Sequence, residues 1–198
     1  MRVPVEYLSR IRRDFLRTVQ GGYVRTVHQH SGVYRHMHFR FPEAYTWFEI
    51  TTVPDRLIYG GDMGDFTFRR LTDMFEFFRQ KPSGDFLQNF YVKPEYWAEK
   101  VTAVDRTDGL FAYKASWFAE DVKDALDDIN YDWTPSQRAH LQHMAEYPEE
   151  SQIRALDVLH QEFDDLEDFY DWGERYSYRF LWCLHAIVWA IHVCDELS

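Results

Sequence analysis

Gly60-Gly61-Asp62-Met63-Gly64-Asp65-Phe66-Thr67-Phe68, then Leu71-Thr72-Asp73-Met74-Phe75-Glu76-Phe77-Phe78-Arg79, is the stretch in which the chain changes its repeat. Upstream, side chains alternate with a period of two. In Val33 to Phe41, Val33, Arg35, Met37, Phe39 and Phe41 share one face, and Tyr34, His36, His38 and Arg40 the other. Tyr23 to Gln29, Ala44 to Val53, Arg56 to Tyr59 and Asp65 to Phe68 read the same way. They are separated by Ser31-Gly32, Pro42-Glu43, Pro54-Asp55 and the Gly60–Gly64 turn. Glycine takes positive φ without steric cost, so that last turn can be sharp. Beyond it the pattern is helical: Thr72 or Asp73 caps a Phe-rich helix that Lys81-Pro82-Ser83-Gly84 closes.

The flanks extend this pattern. Val5, Leu8, Ile11, Phe15 and Val19 recur at three and four, with Arg10, Arg12, Arg13 and Arg17 on the other surface. That helix ends at Gln20-Gly21-Gly22. Pro94 suits a first helical turn, predicting a helix from Glu95 to Val104. From residue 110 onward the sequence predicts almost nothing but helix. The segments are Trp117 to Ile129, one capped by Thr134, Ser151 to Phe163, and a long apolar one from Glu174 to Leu197. Strands first and helices after make an α+β fold, an antiparallel sheet with flanking helices followed by an all-helical half. A loose boundary separates residues 1–106 from an acidic helical region at 107–198, within two domains or one.

The run Gly61-Asp62-Met63-Gly64, with Asp73-Met74-Phe75, Phe77-Phe78, Tyr96-Trp97, Glu99-Lys100 and Asp105-Arg106, resembles a recurrent group of uncharacterised proteins from tailed bacteriophages and prophages. Tyr45 to Ile50 and Phe180 to Ile191 fit the same group. No activity attaches to the group as a whole, so the resemblance implies an origin rather than a reaction. It makes an antagonist of host or defence machinery, acting in the bacterial cytoplasm, the expected role.

Composition narrows the classes. Aromatics are 18% of 198 residues, which predicts a ring-packed core and argues against disorder. The net charge of −11 is divided unevenly: +3 over residues 1–100 and −14 over 101–198. That sign argues against direct nucleic-acid binding by the second half. Cys183 and Cys194 lie eleven residues apart, roughly 16 Å along a helix at ~1.5 Å per residue. A disulfide needs Cα atoms within roughly 7 Å, so these read as buried thiols in a reducing compartment. The apolar run Phe180 to Ile191 is too short for the ~20 residues of a membrane span.

No residue pattern supports a catalytic assignment or a cofactor. The glycines match no phosphate loop, and no serine stands in a nucleophile elbow. His28, His30, His36 and His38 suggest a metal only if the hairpin register unites them, and ordinary polar-face histidines are the stronger reading. His140 with His143, and Asp157 with His160, are read as solvent-facing pairs rather than metal ligands. Asp62 is a weak ligand candidate beside an Asx-turn role. Asp73, Glu99, Lys100, Asp105 and Arg106 are read as ion pairs behind the sheet.

The acidic half carries the functional expectation. Glu162, Asp164, Asp165, Glu167, Asp168, Asp171 and Glu174 are interleaved with Phe163, Leu166, Phe169, Tyr170 and Trp172, and Glu120, Asp121, Asp124, Asp127 and Asp128 form a second group. Glu162, Asp164, Asp165, Glu167, Asp168 and Asp171, with Phe169, Tyr170 and Trp172, would present carboxylates and rings to a host or defence protein with a basic surface. The alternatives are an enzyme or ligand binder centred on the Asp62 turn and the His28–His38 hairpin, and an oligomeric assembly protein.

Overall fold

The computed structural model describes residues 3–105, 109–163 and 169–196. Helix α1 (Val5–Gln20) precedes five strands, β1 (Val24–Ser31), β2 (Tyr34–Phe41), β3 (Thr46–Val53), β4 (Arg56–Gly61) and β5 (Phe66–Arg69). Three short helices follow, α2 (Met74–Phe78), α3 (Phe86–Asn89) and α4 (Pro94–Ala98). A sixth strand, β6 (Val101–Val104), completes an antiparallel sheet whose spatial order is the chain order.

That sixth strand corrects the sequence reading, which ran a helix through Val104. Val101, Thr102 and Val104 are β-branched, and the free edge of β5 offers them a ladder: Phe66 faces Val104 and Thr67 faces Ala103. The helix therefore stops at Ala98 after little more than one turn.

Alternation decides which face of the sheet is covered. Arg35, Met37, Phe39 and Phe41 of β2 are buried, as are Phe48 and Ile50 of β3, Leu57 and Tyr59 of β4, and Phe66 and Phe68 of β5. Against them lies α8 (Tyr178–Asp195), every residue of which from Phe180 to Ile191 is buried. Trp189 rests among Phe39, Phe41 and Tyr23, with ring centroids 5.4, 5.7 and 4.8 Å away. Ile11, Phe15 and Val19 of α1 belong to the same core. Phe15 meets Trp182 at 5.1 Å and Phe90 at 6.4 Å, both edge-on. Because α8 has the sheet on one side and α1 with the Phe86–Phe90 segment on another, it has no polar stripe.

The sequence groups this helix with the acidic half, whereas its packing joins it to the sheet. Residues 2–110 and 176–198 make one compact unit, and Phe111–Arg175 make another, inserted between β6 and α8. The inserted unit holds α5 (Ala115–Asp127), α6 (Pro135–Glu146) and α7 (Gln152–Leu159) around Phe118, Val122, Leu141, Met144 and Leu159. Two short strands also occur beyond residue 110, β7 (Phe111–Tyr113) and β8 (Glu174–Tyr176), where the sequence predicted helix throughout. Ser177 supplies the reason at the second of these. Its hydroxyl accepts from the Phe180 amide, so the helix starts there and Glu174–Tyr176 stay extended. Thr134 caps α6 as expected, in a reciprocal box with Gln137.

Candidate functional site

The helical unit carries the charge. Residues 111–175 hold five Lys and Arg against 17 Asp and Glu, a net of −12, while the sheet unit is at +1. On α5 the exposed carboxylates are Glu120, Asp124 and Asp127, with Asp128 at its C-cap. Asp121 is different. Its oxygens accept from Arg175 at 2.8 and 2.5 Å and from the Gly173 amide at 2.7 Å. It is a latch between α5 and the turn before β8, not part of a free acidic surface. Burial pushes the Glu174 carboxyl above the usual range, with Asp171 adding to it and a hydrogen bond from Gln152 opposing.

Of the second acidic group, Asp164, Asp165, Glu167 and Asp168 lie outside the described residues, as does Leu166. Glu162 is exposed and accepts a hydrogen bond from the Ser136 hydroxyl at 3.1 Å. Asp171 is exposed. The rings divide. Phe163, Phe169 and Trp172 are buried in the helical core, where Phe169 meets Trp172 at 4.7 Å and Phe163 at 4.8 Å. Tyr170 alone faces water, 69% exposed, and its carbonyl accepts from Gln152 at 3.2 Å. Beside Gln152 stands Ile153, 73% exposed. The sequence did not single it out: one apolar residue off-phase in a short helix looks like noise until its neighbours are placed. Tyr170 and Ile153 are thus exposed apolar side chains on two segments tied by the Gln152 bond, with the exposed Asp171 and Glu150 near them in the chain.

The Asp62 turn is held by its own backbone. The Asp62 carboxylate accepts from the Trp47 amide at 3.0 Å, and the Asp62 amide donates to the Trp47 carbonyl at 3.2 Å. Gly61 is at φ +156°, and a Cβ there would lie 2.6 Å from the Trp47 carbonyl oxygen. Only glycine allows the two backbones to approach so closely.

The histidine hairpin unites two rings rather than four. β1 has a bulge between Val27 and Gln29, which brings His28 over His36 with ring centroids 4.7 Å apart. His36 Nε2 lies 3.2 Å from Glu49. His38 stacks instead on Trp47 at 5.3 Å, and His30 pairs with Arg35, which is on the opposite face. Among the described residues no three His, Cys, Asp or Glu side chains are grouped to hold a metal ion. His140 Nε2 lies 3.2 Å from the Val158 carbonyl and serves to tie α6 to α7.

Behind the sheet, Asp73 both caps α2 and takes Arg35 through two bonds of 2.8 and 2.9 Å. The Arg35 hydrogen bond is the main reason its carboxyl lies below the ordinary carboxylate value. Lys100 pairs with neighbouring Glu99 at 2.9 Å, but the Glu99 side chain is 65% exposed, so this is a surface pair and not one buried behind the sheet; Arg106 is outside the described residues. Arg12 holds the Leu87 and Gln88 carbonyls at 2.7 and 2.6 Å, so this arginine of α1 is structural. Cys183 and Cys194 are buried and not disulfide-bonded, and burial raises both thiols, Cys194 to about 11. Neither is a nucleophile at neutral pH. Among the described residues no helix is long and apolar enough to cross a membrane.

No known protein family, curated protein or solved structure matches the chain.

Proposed function

We propose that the protein is a non-enzymatic binding protein that engages a basic surface on a host or defence protein through its helical unit, and blocks it. The observation that carries this is the net −12 of residues 111–175, together with the exposed apolar side chains of Tyr170 and Ile153. Unopposed carboxylates cost self-repulsion within the unit, and a positive partner offsets it. Exposed rings and aliphatics set in a charged rim are the usual anatomy of an interface. The resemblance of Gly61 to Phe78 to phage-encoded proteins makes bacterial host and defence proteins the partner class to test first.

The experiment begins with capture from bacterial lysate on immobilised protein, and then measures association kinetics with the captured partner. Association should slow steeply with salt, because the Debye length falls from ~10 Å at 0.1 M to ~3 Å at 1 M. Glu162→Lys with Asp171→Lys should lower the association rate without unfolding the protein. Tyr170→Ala with Ile153→Ala should raise the dissociation rate. A partner whose binding ignores both salt and these substitutions would remove the proposal.

A further inference from the structure

Four cations converge at one corner of the sheet unit. Arg56 opens β4 and stands directly opposite Arg69, the last residue of β5. Cross-strand partners share a face with Cβ atoms roughly 5 Å apart, and like charges so placed are destabilising. Arg70 follows in sequence. Lys100 is brought in by the main chain, since the Arg69 amide donates to the Lys100 carbonyl at 2.9 Å. Asp55 is fixed in the same way, its amide donating to the Thr72 carbonyl at 3.1 Å.

Arg69, Arg70, Lys100 and Asp55 line an open cavity of about 410 Å³. Arg56, Arg69 and Arg70 are exposed, and none of their side chains has a hydrogen-bond or ion-pair partner among the described residues. Lys100 alone is engaged, with Glu99 at 2.9 Å and with its Nζ 5.2 Å from the centre of the Tyr96 ring. A fold that sets Arg56 against Arg69, with Arg70 and Lys100 alongside, keeps a repulsive arrangement that a bound anion would relieve.

We propose that this corner binds a small phosphate-bearing ligand. The planar fork of arginine matches phosphate oxygens at two points, and a lysine ammonium adds a compact charge. Arg69 and Arg70 take the phosphate oxygens, Lys100 adds charge from the β6 side, and Arg56 reinforces the field from the next strand. Asp55 on the same lining can accept from a hydroxyl or amine carried beside the phosphate, and the cations outnumber it, so the corner keeps a positive excess for a phosphate alone. The geometry disfavours a nucleic-acid backbone, which needs a continuous basic track. The sheet unit is only +1 overall, and Glu49 stands on the same outward face of the sheet. The inference is independent of the acidic helical unit.

Isothermal titration with sodium pyrophosphate at constant ionic strength tests it. Saturable one-to-one binding is expected in the millimolar range or tighter. Arg69→Gln with Arg70→Gln should weaken it about a hundredfold, each charge-assisted contact being worth about tenfold. The same variant should melt no lower than the parent, because the opposition of Arg56 and Arg69 is gone. If that variant fails to fold, Lys100→Gln alone should still weaken binding several-fold. Absence of saturation at millimolar pyrophosphate overturns the proposal, and so does binding that the substitutions leave unchanged. A short single-stranded oligonucleotide that binds more tightly than pyrophosphate also overturns it, in favour of a nucleic-acid contact.

Discussion

Arg35 and Asp73 meet in a two-point ion pair on the covered face of the sheet, where Arg35 stands between His30 and Thr52 across the strands and Met37 follows it on the same face. The Asp73 oxygen that takes Arg35 at 2.8 Å also accepts the Phe75 amide at 2.9 Å, and the guanidinium lies 4.2 Å from the centre of the Phe75 ring. One carboxylate thus starts α2 and neutralises the arginine beneath it. Asp73→Ala should cost about 3 kcal/mol, read by denaturant unfolding. That is the low end for a broken buried pair, since about a quarter of the Asp73 side chain meets water. Arg35→Lys should cost nearly as much, since lysine cannot make the two-point contact.

His185 sets an acid limit on stability. It is buried in α8 with Nδ1 2.7 Å from the Leu181 carbonyl, and burial holds it down to about 4, with Arg12 adding to the effect. The unfolded chain takes up a proton as pH falls through about 6.5, while the folded chain resists until about 4. Stability should therefore decline between those values, by up to roughly 3 kcal/mol, and then level off for this group. Asp73 shifts the other way, with its folded value depressed. Its contribution is intact above the ordinary carboxylate range and is lost only in stronger acid. Unfolding free energy measured across pH 3 to 7 checks the slope, and His185→Gln should flatten the upper part.

Leu184→Ala and Ile191→Ala in α8 should each cost ~2–5 kcal/mol, because both side chains are sealed between sheet and helix. Thermal melting at several protein concentrations measures this and tests self-association as well.

Asp121→Asn should loosen the helical unit selectively. It weakens the two-point grip on Arg175, at about 2 kcal/mol. Hydrogen exchange should quicken in residues 111–175 while the amides of the six-stranded sheet keep their protection. Uniform loss across both units would contradict the division of the chain at Phe111 and Arg175.

Gly61→Ala should be poorly tolerated. Its Cβ would meet Trp47 and Phe48 backbone atoms at 2.6 and 2.7 Å, and backbone has no rotamer with which to yield. A loss of about 1–3 kcal/mol or more is expected by chemical denaturation.

Much of this was legible beforehand. Met37, Phe39 and Phe41 fall on one face of β2 because alternation leaves no other choice, and the five leading strands follow from it. Thr134-Pro135 and its Gln137 announce α6. What escaped was non-local. Val101–Val104 becomes strand only because β5 has an unpaired edge, and nothing near Pro94 reports that edge. Glu174–Tyr176 is extended because Ser177 caps the helix and Phe111–Tyr113 lies alongside. At the candidate sites the obstacle was register. The bulge at His28 decides which histidines meet, and the pairing of Arg56 with Arg69 is invisible until β4 and β5 are aligned. Phe169 and Trp172 read as interface anchors because a ring between carboxylates looks the same in sequence whether it points inward or outward.

The placing of the helical unit between β6 and α8 has a consequence for biosynthesis. Residues 105–177 separate the last strand from the helix that covers the sheet. On the ribosome, Phe39, Phe48, Tyr59 and Phe68 emerge well before Trp182 and Trp189 exist to shield them. The inserted unit has its core residues within 118–172 and can condense first. Nascent chains stalled before Tyr178 should therefore present a bare aromatic sheet to chaperones, and release from them should coincide with the emergence of α8.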